Sequence, residues 1–319
     1  MATVAQIPDD NIANIHDYKS NSLWRLTLRR IFRQRSAIVG MSILLIISLL
    51  AIFAPVLAPY DPTDVLIGKE EGIKKRQPPC IHLLGCDESL PQHFLGIDGN
   101  VRDVYSRMLY GARVSLQIGF VVVTVAAVSG TILGALAGYA GGWTDNLIMR
   151  IMDIFLAFPF LLLAISIVFV LGPGLTNAML AISIVSMPAY ARVVRAAVLS
   201  IRETDYVEAS RALGAGGFDI LIKRILPNAV PPLIVLATLG VATAILDTAA
   251  LSFLGLGAQP PLSEWGTMLG SERNQLFSAP HLVFVPGIAI SITVLAFNLL
   301  GDGLRDALDP RLVNVGRDK

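Results

Sequence analysis

Long apolar runs alternate along this chain with polar segments, and the runs exceed what a soluble core helix uses. Residues 37–58 hold 22 positions without a charge. As a helix they reach about 33 Å, against a hydrocarbon core of about 30 Å. Residues 114–143 form a second charge-free run. Residues 154–191 stay uncharged for 38 positions, too many for one helix, and Gly172-Pro173-Gly174 divides them into two predicted spans joined by a tight turn. Pro159 and Pro188 are expected to kink those two spans, a feature membrane helices tolerate when neighbours satisfy the freed backbone groups. Residues 228–256, apolar apart from Asp247, and residues 281–300 complete the set. The pattern predicts an all-α polytopic membrane protein with six transmembrane helices and both termini on one side.

Composition agrees. Of 319 residues 54% are hydrophobic and 15% charged, against about 25% charged in soluble domains. The formal net charge of +1 says little, but its distribution orients the chain. With both termini cytoplasmic, the internal segments carry 17 of the 25 Lys and Arg and the external segments eight, as the positive-inside rule requires. The expected organisation is a basic cytoplasmic segment at 1–36, a first helix at 37–59, an external loop at 60–113, a five-helix core at 114–303 and a cytoplasmic tail at 304–319. No cleavable signal peptide is visible, and 37–58 is too long for a signal h-region, so it reads as a retained span. Residues 23–35 place five arginines among Leu, Trp, Ile and Phe. They predict an amphipathic helix on the anionic inner leaflet, or a topology signal, or both.

Four local features stand out. Residues 203–227 form a polar, helix-compatible block between two membrane-length runs. Within it 207–213 predicts a short helix, Gly214, Gly216 and Gly217 permit a reversal, and 218–225 predicts a second helix returning to the membrane. A helix–turn–helix lying along the membrane suits docking into a groove on a cytoplasmic partner. Gly130, Gly134, Gly138 and Gly142 recur every four residues, a stripe that predicts close packing against a neighbouring helix. Asp247 is a carboxylate near mid-membrane, where insertion costs about 2.5–3.5 kcal/mol. It reads either as a pathway-lining residue or as a structural group bonded to Thr243, Thr248 or another subunit. Asp153 is expected to pair with Arg150 at an interface. Cys80 and Cys86 both fall in the 60–113 loop, where a disulfide and two free thiols remain open alternatives. That loop also nearly repeats itself, HLLGCD at 82–87 and HFLGID at 93–98.

The polar block carries Glu208-Ala209-Ser210, Gly214 and Leu226-Pro227 at a spacing that resembles the EAA loop of binding-protein-dependent ABC importer permeases. That loop reads E-A-A, three residues, G, nine residues, I-x-L-P. Ser210 replaces the second alanine, and Arg224 stands where isoleucine is expected, with Ile225 one place later. Residues 93–116 are similar to the H-x-L-G-T-D-x-x-G-R-D segment of the dipeptide/oligopeptide/nickel branch, with Ile97 for its threonine and Val101 for its glycine. Residues 246–269 and 302–311 also resemble that branch, in its C-type permease subunit. The resemblance implies a type I ABC importer permease fold, with ATPase coupling through residues 200–227 at Glu208, Ala209, Ser210, Gly214, Ile225, Leu226 and Pro227. It further implies a homologous second permease, two cytoplasmic ATP-binding subunits and an external substrate-binding protein.

The expected function is passage of dipeptides or oligopeptides into the cell as half of a pore in the cell membrane. Importers of nickel chelates and of glutathione share these motifs, so they stand as alternatives. A secondary transporter would place paired ionisable residues at the midplane and often shows inverted repeats; only Asp247 is central and no repeat is evident. An intramembrane enzyme would need a nucleophile with a base, or a metal set. No G-x-x-x-x-G-K-[ST], H-E-x-x-H or G-x-S-x-G element occurs, so no catalytic residues, metal, cofactor or nucleic-acid partner are expected on this chain. ATP and magnesium are expected on the partner ATPases.

Overall fold

A computed structural model describes residues 31, 32, 34–87 and 89–308. The predicted amphipathic stretch 23–35 lies almost wholly outside those residues, and so does the end of the C-terminal match at 302–311. Among the described residues the chain is helical with no strand beyond isolated bridges. Five helices are long and apolar enough to cross a membrane, and a sixth span is a bent pair.

Each predicted span has a counterpart, and the differences have local causes. Helix α1 (Arg35–Ile52) stops at Phe53, and a single turn α2 (Ala54–Leu57) follows. The sequence read both as one helix, but Pro55 has no N–H to continue the ladder. Helix α3 (Val104–Ala140) starts ten residues before the predicted run and is 37 residues long, about 55 Å. Its first turns therefore stand clear of the hydrocarbon and can carry Arg107 and Arg113. Asp103 fixes the start: its carboxylate accepts from the Ser106 N–H at 2.7 Å, an N-cap.

The third span departs most from expectation. Helix α4 (Gly142–Ala157) and helix α5 (Phe160–Leu171) meet at 96° around Pro159, which breaks the helix rather than kinking it. Helix α6 (Leu175–Arg202) follows the Gly172-Pro173-Gly174 turn and keeps Pro188 in its interior. Next come α7 (Asp205–Ala212), α8 (Gly217–Ile220), a π-turn at Leu221–Ile225, and α9 (Leu226–Phe253). Short α10 (Trp265–Ser271) is capped by Glu264, which accepts from Gly266 and Thr267 N–H at 2.8 Å each. Helix α11 (His281–Leu308) runs about two turns past the predicted end.

Helices α3, α6, α9 and α11 share one apolar core, in which Ile118, Val122, Ala126, Ile182, Val185, Ile245 and Phe297 are buried. A second cluster lies where α7 and the π-turn meet α6, around Val194, Val198, Val207, Ile220 and Ile225. The connections divide into two groups at opposite ends of the helices. Residues 58–103 and 254–280 form a cap at the Val104 end of α3, and residues 203–225 lie at its Ala140 end.

Candidate functional site

The polar block folds as a short helix, a reversal and a short helix. Its first helix, α7, begins two residues earlier than predicted, and its second ends in the π-turn. Of the three glycines only Gly214, at φ +84°, needs a left-handed backbone. The reversal is closed by Gly214 N–H to the Arg211 carbonyl at 3.0 Å and Ala215 N–H to the Ser210 carbonyl at 3.1 Å. Val207 and Ile225 are fully buried, and they fasten the block to α6. Ile225 is thus the buried residue of the Arg224–Ile225 pair, while Arg224 is exposed and its carbonyl accepts from Asn228 Nδ2 at 2.7 Å. Glu208, Ala209, Gly214 and Pro227 are exposed, and Ser210 and Leu226 half-buried. Sequence reasoning missed Leu213 and Phe218, exposed at 89% and 76% on either side of the turn. The available signal was two large apolar residues on either side of the glycine turn in an otherwise polar block.

The block is carried by a rigid pair of helices. A Cβ at Gly130 would lie 2.6 Å from Tyr190 Cβ, one at Gly134 would run into the Ala191 carbonyl oxygen, and one at Gly138 would meet Val198 at 3.0 Å. These three glycines therefore let α3 and α6 approach backbone to backbone. Gly142 is a correction to the predicted stripe: it meets nothing and instead turns the chain into α4 at φ +56°. Asp145 receives Arg195 through two nitrogens, with Nη2 at 2.6 Å from Oδ2. Asp153 pairs with Arg192 across helices at 2.6 Å, not with Arg150 as predicted. Helix α4 faces α6 there, so the residue 39 positions away is nearer in space than the one three positions back.

Between α3, α5, α6 and α9 lies an open cavity of about 340 Å³ with mainly apolar walls. Asp247 lines it. The residue is not central in its helix: it lies six residues before the end of α9, about 9 Å. The sequence reading placed it near mid-membrane. Neither predicted threonine holds it, since Thr243 and Thr248 donate to the Gly240 and Ala244 carbonyls of their own helix. Tyr190, 3% exposed, also lines the cavity, with its hydroxyl against Gly240.

At the other end of α3 the cap is closed on itself. Cys80 and Cys86 are bridged, with Cα atoms 5.4 Å apart. Cys80 and His93 exchange backbone hydrogen bonds at 2.9 and 3.0 Å, so the two similar hexapeptides fill different places. His82 of the first hexapeptide reaches the Leu90 carbonyl at 2.8 Å. His93 of the second is 1% exposed, with Nδ1 2.8 Å from Asp103 and Nε2 3.1 Å from Glu70. Carboxylates at both nitrogens favour the protonated ring, which can donate to each. Burial opposes that charge, but the hydrogen bond and charge of Asp103, then those of Glu70, outweigh it and raise the pKa. Tyr60 donates to Glu70 at 2.7 Å, and burial followed by that bond pushes its phenol up. Arg76 and the Gly99 N–H both bind Glu272 at 2.9 Å, which ties residues 58–103 to the 254–280 segment.

Comparison with known proteins places these features. Residues 130–314 match the family described as binding-protein-dependent transport system inner membrane component. Residues 22–79 match the N-terminal transmembrane domain of oligopeptide transport permease C. The chain is 47% identical over 300 residues to a dipeptide transport system permease protein of Alkalihalophilus pseudofirmus, covering 92% of each. It is 49% identical over 285 residues to a di/tripeptide transport system permease protein of Pseudomonas aeruginosa, covering 88% of this chain and 90% of that one. It is 43% identical over 299 residues to a glutathione transport system permease protein of Pectobacterium atrosepticum, covering 93% and 94%. Among solved structures, an inward-facing conformation of the MetNI methionine ABC transporter superposes with a TM-score of 0.53 at 24% identity, covering 64% of this chain and 96% of that one. That likeness concerns the fold.

Proposed function

We infer the function from one premise: the chain belongs to the family of binding-protein-dependent transport system inner membrane components. It is a multi-pass permease subunit with the type I importer fold. We propose that it forms half of a pore that admits dipeptides and short oligopeptides, with a homologous permease as the other half. Two ATPases would bind ATP and magnesium on the cytoplasmic side, and an external binding protein would deliver the peptide. In this reading both termini and residues 203–225 face the cytoplasm, the 58–103 cap faces outward, and the chain performs no covalent chemistry.

The observation that carries the reading is the exposed helix–turn–helix at 205–220, with Glu208, Leu213 and Phe218 on its surface and Val207 and Ile225 buried beneath. A docked ATPase would cover the apolar pair. Its movement would pass through the buried contacts to α6 and α9, which line the cavity. Glutathione is the second reading, favoured by the similarity to glutathione permeases and by the peptide nature of that substrate.

Reconstitution of the four-subunit assembly in liposomes with its binding protein tests both readings. Dipeptide uptake should require ATP and the ATPases, and excess unlabelled dipeptide should suppress it more strongly than glutathione does. Uptake that persists without ATP would sink the importer reading, and stronger competition by glutathione would exchange the substrate.

A further inference from the structure

The cavity holds a carboxylate that nothing in the fold uses. Asp247 accepts no hydrogen bond and forms no ion pair among the described residues, although it faces the open space between α3, α6 and α9. A carboxylate in a membrane helix is costly unless water or a cation meets it. The Tyr190 hydroxyl is a second polar group without a partner among the described residues, on a side chain 97% buried. It enters the same cavity because Gly240 has no side chain and the hydroxyl rests against that glycine. Gly240 and Asp247 are seven residues apart, two helical turns, so they share one face of α9 with about 10 Å between them. Around them the walls are mainly apolar, with Val122, Val123, Ala126, Phe160 and Leu236.

This arrangement has one strong acceptor toward the outer end and the Tyr190 hydroxyl two turns deeper; Ser186 and Thr243 also line the space, Thr243 already donating to the Gly240 carbonyl, and the remaining walls are apolar. It matches a ligand that carries one compact cation at a fixed place and varies elsewhere. A peptide with a free amino terminus is such a ligand, since every member has an α-ammonium whatever its sequence. An ammonium needs acceptors and has none of its own, and its hydrogen bonds to a carboxylate are the strong, charge-assisted kind. A volume of about 340 Å³ lies at the small end of ligand cavities, which suits one end of a peptide with the remainder against the second permease.

We propose that Asp247 holds the α-ammonium of the peptide as it enters the pore, with the Tyr190 hydroxyl as a polar contact further in. Asp247 is then a specificity-determining residue for peptides with free amino termini. The proposal rests on the peptide-importer reading above.

The test uses the complete transporter in liposomes with its binding protein. Asp247→Asn keeps the shape and removes the charge. Dipeptide uptake should fall about tenfold, the loss expected for one hydrogen bond to a charged group, while ATP hydrolysis stimulated by the peptide-loaded binding protein persists. Asp247→Glu should restore most of the uptake. In the unaltered transporter, a dipeptide with a diazirine side chain at its first position should label α9 of this chain during turnover, and one with the diazirine at its second position should label it less. Unchanged uptake by Asp247→Asn would overturn the proposal. So would failure of that variant to copurify with the second permease, which would make Asp247 a subunit contact, or equal labelling by both probes. If the unaltered transporter takes up no dipeptide with ATP, the importer reading itself fails, a result distinct from each of these.

Discussion

The two ends of α3 carry polar segments that differ in whether they bury charge. Asp98, Arg102, Asp103 and Glu272 of the cap, with Arg107 in the first turn of α3, are all buried, and each is bonded to a residue of the cap. In the 203–225 block, Glu208, Arg211, Asp219, Lys223 and Arg224 are exposed, and Lys223–Asp219 at 2.8 Å is an ion pair between two exposed side chains, the kind that contributes little. Both segments are polar connections of a membrane protein. The cap has a bonded interior of buried charges beneath an exposed surface that includes the Lys69–Asp64 pair, Leu83 and Phe277, whereas no charged residue of the 203–225 block is buried. The first is tied together by ion pairs in its interior, while the second is fastened by apolar contacts, through Val207, Ile220 and Ile225.

The contrast predicts stability effects of different size. The largest should come from Asp103→Ala. That change removes the cap of α3 and one of the two carboxylates on His93, and it leaves the buried ring with Glu70 alone. Breaking a buried pair costs about 3–5 kcal/mol, so thermal unfolding of the detergent-purified chain should move sharply downward. A shift no larger than that of an exposed-site control would mean that the cap is not a unit of stability.

Next comes the pH dependence of the same cluster. The His93 pKa is raised in the folded chain, so its contribution is fully present below the unfolded value of about 6.5 and is lost as pH rises through the folded value. The difference in unfolding temperature between the unaltered chain and His93→Gln should therefore be greatest in mild acid and narrow toward alkaline pH. A difference that stays constant across that range would show that the ring is neutral and merely fills space.

The sequence exposed the hydrocarbon-embedded parts of the fold because composition alone marks them. It missed what depends on distant partners. The charge-free run began only after Arg113, so the first turns of α3 were assigned to a loop, although Arg107 is buried and donates to the Pro62 carbonyl at 3.0 Å. Arg76 and Glu272 are 196 residues apart, and no local pattern announces their pairing. Pro159 signalled a kink, but only the packing of α4 and α5 on α6 sets a 96° break. Val101 is instructive in another way. It stands at φ +57° where the resembled motif has glycine, a backbone that costs a residue with a Cβ about 1–2 kcal/mol. Its side chain is buried with Leu66 and Ile97, which offsets that strain. At the candidate site the loop spacing was legible, but the meeting of Asp247 and Tyr190 at one cavity was not, because it depends on how α6 packs against α9.

The smallest stability effect should come from the loop, and it sharpens the contrast most. Glu208 is exposed on α7 and makes no hydrogen bond or ion pair among the described residues. Surface changes of this kind stay within about 0.5 kcal/mol, so Glu208→Lys should leave unfolding of the isolated chain unaltered. If a partner normally covers this face, the reversed charge is placed inside an interface, where like-charge contact costs several times what it does in water. ATP-dependent uptake by the assembled transporter should then be lost while the subunit inserts and unfolds normally. Gly214→Pro is a poorer probe: proline cannot adopt φ +84° and lacks the N–H that closes the turn on Arg211, so it damages the loop itself. A Glu208→Lys transporter that imports at the normal rate would remove the difference between the two ends, because the uncovered face would then be ordinary solvated surface.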